Sequence, residues 1–116
     1  MRIMIVDDND LMRAEIVRSV TFKDDIVLEC NDGRSAVNSC FDFHPDWILM
    51  DIWMENMNGI TASEKIKEIM PDVKIAFITS YDNYSYRKAA KALGVEHYFM
   101  KTNLLEIRKV LECKQQ

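Results

Sequence analysis

Four short polar stretches of this 116-residue chain hold the side chains best suited to chemistry: Asp7-Asp8, Asp51, Thr79-Ser80 and Lys101. Each follows directly on an apolar run. A single carboxylate in such a place commonly does no more than cap a loop, but three brought together must do something else. Two carboxylates ~4 Å apart repel by about 4 kcal/mol at an effective dielectric of ~20, so a cation has to sit among them. Lys101 neutralises one charge. Oxygen-only ligands with an open, watery coordination sphere suit Mg²⁺, and Mn²⁺ accepts the same donors. A metal held by Asp7, Asp8 and Asp51 would attract phosphate, to which Thr79 offers a hydroxyl and Lys101 a point charge. A carboxylate nucleophile in that company spells phosphoryl transfer to aspartate, with Asp51 as acceptor. An ion-pair network without function would also crowd these charges together.

Such chemistry requires elements that deliver the four stretches to one place. Asp46 to Met54 contains the most continuous apolar run, bounded by Pro45 and Asn58-Gly59; it reads as a fully buried central strand with Asp51 at its carboxyl end. Shorter runs at Arg2–Val6, Ile26–Cys30, Val73–Thr79 and His97–Met100 read as further strands. Between them lie helical spacings. Met12, Ile16 and Val20 give one apolar face, with Arg13, Glu15 and Arg18 left for solvent. Val37, Cys40 and Phe41 give a second face, and Ala62, Ile66, Ile69 and Met70, closed by Pro71, a third. A helix from Tyr84 to Leu93 stops at Gly94, and a last one runs from Leu104 to Glu112. Asp7 to Asp10 and Asp32-Gly33 mark turns and helix starts.

Five strands alternating with five helices predict an α/β fold, a doubly wound parallel sheet with helices on both faces, and residues 1–116 as a single domain. In such sheets ligands sit at the carboxyl ends of the strands, where the winding reverses. The common order 2-1-3-4-5 puts Asp7 and Asp8 beside Asp51.

Composition excludes several classes. A net charge of −4 argues against direct nucleic-acid contact by this segment, which would want a basic face. No apolar run approaches membrane-spanning length, and the amino terminus turns acidic too soon for a signal peptide, so a cytoplasmic location is expected. Cys30, Cys40 and Cys113 lack the spacing of a zinc or redox motif, and His44 and His97 lack that of metal ligands; the eight methionines read as packing.

Taken together, Asp7-Asp8, Asp51, Thr79 and Lys101 resemble, in order and over essentially the whole chain, the response-regulator receiver domain of two-component signalling, whose sheet is flavodoxin-like. The resemblance implies that Asp51 is the phosphoacceptor and that Asp7, Asp8, Asp51 and the backbone carbonyl of Trp53 hold Mg²⁺. It makes Thr79 and Lys101 catalytic, Thr79 and Tyr98 the switch pair, and a phosphohistidine on a sensor kinase or phosphotransfer protein the donor. The domain would catalyse only its own phosphorylation and dephosphorylation. Two departures stand out: Glu55 occupies a position where proline is usual, and Thr102 replaces the proline that often follows the lysine. Proline would have preset one loop dihedral at residue 55. Bulky Trp53 and Tyr81 at the mouth are expected to screen the phosphoryl group from water.

Rival readings fit less well. A flavin-binding module needs a Ser/Thr- and Gly-rich phosphate loop where Asp7 to Asp10 stand. An aspartyl-phosphate phosphatase usually has a second acid two residues past the nucleophile, where this chain has Trp53. A docking module that has lost phosphorylation is contradicted by the intact acid, hydroxyl and lysine set. Output through a fused DNA-binding domain, giving transcriptional regulation, and a stand-alone receiver acting by protein contact both remain open. A homodimer through the face formed by residues 84–112 is expected on phosphorylation.

Overall fold

The computed structural model describes residues 1–113. Five strands, β1 (Arg2–Val6), β2 (Ile26–Cys30), β3 (Trp47–Asp51), β4 (Lys74–Thr79) and β5 (His97–Met100), alternate with five helices. The helices are α1 (Asp10–Val20), α2 (Gly33–Phe43), α3 (Gly59–Ile69), α4 (Tyr84–Ala92) and α5 (Leu104–Cys113). All strand pairs are parallel and the order is β2-β1-β3-β4-β5, the doubly wound arrangement read from the sequence. A short 3-10 turn, Lys101–Asn103, joins β5 to α5.

Each strand feeds two cores because its side chains alternate across the sheet. Met4, Val6, Ile48, Met50, Ile75 and Phe77 face α2, α3 and α4, whereas Ile3, Ile5, Trp47, Leu49, Ala76 and Ile78 face α1 and α5. β3 lies at the centre, and all five of its residues, Asp51 included, are buried. Strand β2, at the edge, keeps only Cys30 fully buried.

Helix starts follow the expected capping chemistry. Asn9, Asp32, Asn58 and Asn83 accept from the backbone N–H groups of Met12, Ser35, Thr61 and Tyr86 respectively. Two apolar faces need correction. Phe41 is 60% exposed and Ile69 is 44% exposed, because the buried sides of α2 and α3 are centred on Ala36 with Cys40 and on Ala62 with Ile66. Small residues there let the two helices pack close to each other and to the sheet. Cys30 and Cys40 are buried free thiols, and burial pushes the Cys30 thiol up to about 11. No helix among the described residues is long and apolar enough to cross a membrane.

Candidate functional site

The register of the sheet brings the reactive stretches together. Val6 pairs with Met50, so Asp7 emerges beside Asp51; Asp51 pairs with Ile78, and Thr79 pairs with Met100, so Thr79 and Lys101 leave their strands at the same edge. Carboxylate oxygens of Asp7, Asp8 and Asp51 lie within 4.8 Å of one another. Asp7 and Thr79 are fully buried, Asp51 nearly so, and Asp8 is exposed.

Lys101 bridges the two buried acids. Its Nζ stands 2.9 Å from Asp7 Oδ2 and 3.5 Å from Asp51 Oδ2. One ammonium cannot balance both charges in a dry setting. Burial, with the Asp7 charge second, pushes the Asp51 carboxyl up to about 6 against the pull of Lys101 and of the Trp53 backbone N–H. Asp7 Oδ1 accepts from the Asn9 N–H at 2.9 Å, while Oδ2 faces Lys101. An all-oxygen donor set carrying more negative charge than one ammonium balances fits a hard divalent cation.

The surrounding loops add groups the sequence did not reveal. Arg13, expected in solvent, has a side chain only 15% exposed and clamps the acid loop. It donates to the Asp7 carbonyl at 2.7 Å, to Asp10 at 2.8 Å and to Glu29 on β2 at 3.0 Å. Helical spacing places Arg13 off the apolar face; only the return of β2 alongside β1 supplies Glu29. Glu55, across the mouth, donates its backbone N–H to Asp8 Oδ2 at 3.2 Å. A backbone bond of this kind leaves no trace in residue types, apart from the absence of proline.

Thr79 and Tyr98 are linked through one residue. The Tyr81 N–H donates to Thr79 Oγ1 at 3.2 Å, and the Tyr98 hydroxyl donates to the Tyr81 carbonyl at 2.8 Å. Arg87 lies over the Tyr98 ring, 4.3 Å from its centroid, and pairs with Asp82 at 2.6 Å. At the mouth, Trp53 and Tyr81 are 62% and 54% exposed and meet edge to face at 6.2 Å. The described residues contain no cis peptide bond, so Lys101 and Thr102 are joined in trans.

Comparison with known proteins agrees with this arrangement. Residues 3–112 match the response regulator receiver domain family. The response regulator protein VraR of Staphylococcus saprophyticus is 36% identical over 105 residues, which cover 87% of this chain and 49% of VraR. The chain therefore spans about half the length of the curated relatives it matches. Among solved structures, the response regulator domain of Thermotoga maritima CheB is 26% identical with a TM-score of 0.82, covering 98% of this chain and 92% of that one. A LuxR-family DNA-binding response regulator from Staphylococcus aureus shares the fold, with a TM-score of 0.89 at 19% identity over 99% of this chain and 98% of that one. A family match running from Ile3 to Glu112 takes in every strand end that carries the acid site, and the chain belongs to the response regulator receiver domains.

Proposed function

We propose that this chain, residues 1–116 acting as one receiver unit, is a phosphorylation-controlled switch in which Asp51 accepts a phosphoryl group from a phosphohistidine of a sensor kinase or phosphotransfer protein. The observation that carries the reading is the cluster of three carboxylates within 4.8 Å, two of them bridged by Lys101, at the switch point of the sheet. An Asp51 oxygen attacks phosphorus, the phosphorus–nitrogen bond breaks, and the imidazole leaves with the bonding electron pair. Asp7, Asp8, Asp51 and the Trp53 carbonyl would hold Mg²⁺ or Mn²⁺. When bound, such an ion offsets charge on the phosphoryl oxygens and on the acid cluster. Lys101, whose Nζ already stands between Asp7 and Asp51, offers its ammonium to the phosphoryl group. Thr79 donates its hydroxyl.

The readout follows from the Tyr81 backbone. Its N–H holds Thr79 and its carbonyl holds Tyr98, so drawing Thr79 toward a new dianionic group strains one bond of a two-bond chain and releases Tyr98 to move. The surface of α4, β5 and α5 changes as a result. A partner domain or a second receiver would read that change in the cytoplasm, without direct nucleic-acid contact by this segment. The greater length of the relatives, together with the LuxR-family neighbour, supports a DNA-binding output and hence transcriptional regulation.

The test is intact-mass measurement after exposure to a small phosphodonor with Mg²⁺. The parent is expected to gain one phosphoryl group and Asp51→Asn none, because an amide is not a competent nucleophile. An undiminished adduct on Asp51→Asn would overturn the assignment.

A further inference from the structure

The contact from Glu55 to Asp8 joins loops that are 47 residues apart in sequence, and it uses a donor that proline would lack. Local geometry presents that donor. Asn56 has a positive φ of 69°, and the Met57 N–H donates back to the Glu55 carbonyl at 2.8 Å, closing a tight turn immediately after the donor. Gly59 N–H to the Ile52 carbonyl, at 2.8 Å, ties the base of the same loop to β3. The loop is thus folded back over the strand end with the Glu55 N–H facing the acid cluster. The Glu55 side chain is exposed.

Resting on the metal-dependent reading above, we propose that the Glu55 backbone N–H is a positioning group for Asp8 as a metal ligand. With Oδ2 accepting this charge-assisted bond, the Asp8 carboxylate is held at the cluster and its other oxygen is left for the cation. Asp8 needs such a hold more than its neighbours do. Asp7 is fixed by the Asn9 N–H and Lys101, and Asp51 by Lys101 and the Trp53 N–H, but Asp8 is exposed and would otherwise rotate into water. The bond also ties the segment carrying Trp53 to the β1–α1 loop, so two sources of ligand oxygen move as one unit. Groups that hold metal ligands in place typically change metal affinity by about 10–100-fold when removed. A single bond of 3.2 Å at an exposed carboxylate belongs at the lower end of that range.

Two measurements on the whole chain test the role. Calorimetric titration with Mg²⁺ is expected to give Glu55→Gln, which keeps the N–H, an affinity within about twofold of the parent, and Glu55→Pro an affinity about tenfold weaker. Amide hydrogen exchange of the metal-free protein needs no change at residue 55. The Glu55 N–H is expected to be protected in the parent and to exchange about tenfold or more faster in Asp8→Ala. Equal Mg²⁺ affinity in parent and Glu55→Pro overturns the role, as does an equal loss in Glu55→Gln, which would assign the effect to the carboxylate. Exchange at Glu55 that is indifferent to Asp8→Ala also overturns it. A parent that takes up no Mg²⁺ overturns the metal-dependent reading itself, which distinguishes that failure from one confined to Glu55.

Discussion

Asp51 is ill-placed for a charge and well placed for a reaction. Its carboxyl is pushed up to about 6 by burial and by Asp7, from an ordinary value of 3.8. A carboxyl whose folded value exceeds its unfolded one binds the proton more tightly when folded, so the contribution of Asp51 to the stability of the metal-free protein falls as pH rises from about 4 to about 6. Asp51→Asn removes that penalty. The variant is expected to melt several degrees above the parent at neutral pH, the gap closing toward pH 4, as followed by thermal unfolding in the presence of a chelator. A gap independent of pH would place the cost elsewhere. In the proposed reaction the residues at the mouth would act after the phosphoryl group arrives. Trp53 and Tyr81 meet at 6.2 Å beside the site, and hydrolysis needs a water in line with the bond to phosphorus. Trp53→Asn and Tyr81→Ser are expected to shorten the lifetime of the phosphorylated protein severalfold. Unchanged decay of the phosphorylated mass in both variants would dismiss the screen.

Among the elements, β3 and α3 set the tightest constraint. Gly59 opens α3 against the end of β3, and a Cβ built there would lie 2.0 Å from the Asp51 carbonyl oxygen and 2.9 Å from the Ile52 Cα. Both obstacles are backbone, so neither can move aside cheaply. Gly59→Ala is expected to cost at least the roughly 1–3 kcal/mol typical of overpacking. It should also lower phosphorylation by displacing the strand end that carries Asp51. Urea unfolding and the intact-mass assay check both, and a variant as stable as the parent would show that α3 can shift freely. Elsewhere the helices do more than cover the sheet. Arg108 on α5 reaches Asp25 at 2.6 Å beyond the end of α1 and lies over the Phe22 ring, 4.1 Å from its centroid. That clasp fixes α5 to α1 and leaves Lys88, Lys91 and Lys109 as exposed cations on the proposed output face.

For the molecule as a whole, the acid site and the output face sit on connected elements. Thr79 ends β4 and Lys101 follows β5, and both lead directly into the segments from Tyr84 to Glu112. Moving a two-state surface from 1:99 to 99:1 requires about 5.5 kcal/mol of differential stabilisation. Charge-assisted bonds to Thr79, Lys101 and a metal ion are of the strength needed. Phosphorylation, or beryllofluoride as its mimic, is expected to promote self-association through the face 84–112, visible as a concentration-dependent mass in size-exclusion with light scattering. A monomer at all concentrations would remove the dimer. Unchanged amide exchange across that face would remove the switch as well.

The sequence by itself determined the alternation of strands and helices and which polar side chains end the strands. Both rest on local properties, apolar runs, helical spacing and polar residues placed just past a strand end, while the strand order followed from the order common to doubly wound sheets of this size. Asp51, Asp7 and Lys101 were legible because a parallel sheet carries every strand's carboxyl end to one edge. What only the tertiary structure decided is how those groups are held. Arg13 became a clamp because β2 brought Glu29 to it, and Phe41 and Ile69 lost their place in the core because Ala36, Cys40, Ala62 and Ile66 had filled it. The Tyr81 backbone joins Thr79 to Tyr98, and the Glu55 N–H holds Asp8. Backbone donors and acceptors are the same in almost every residue, so their partners are chosen by the path of the chain in space and cannot be read from side-chain types.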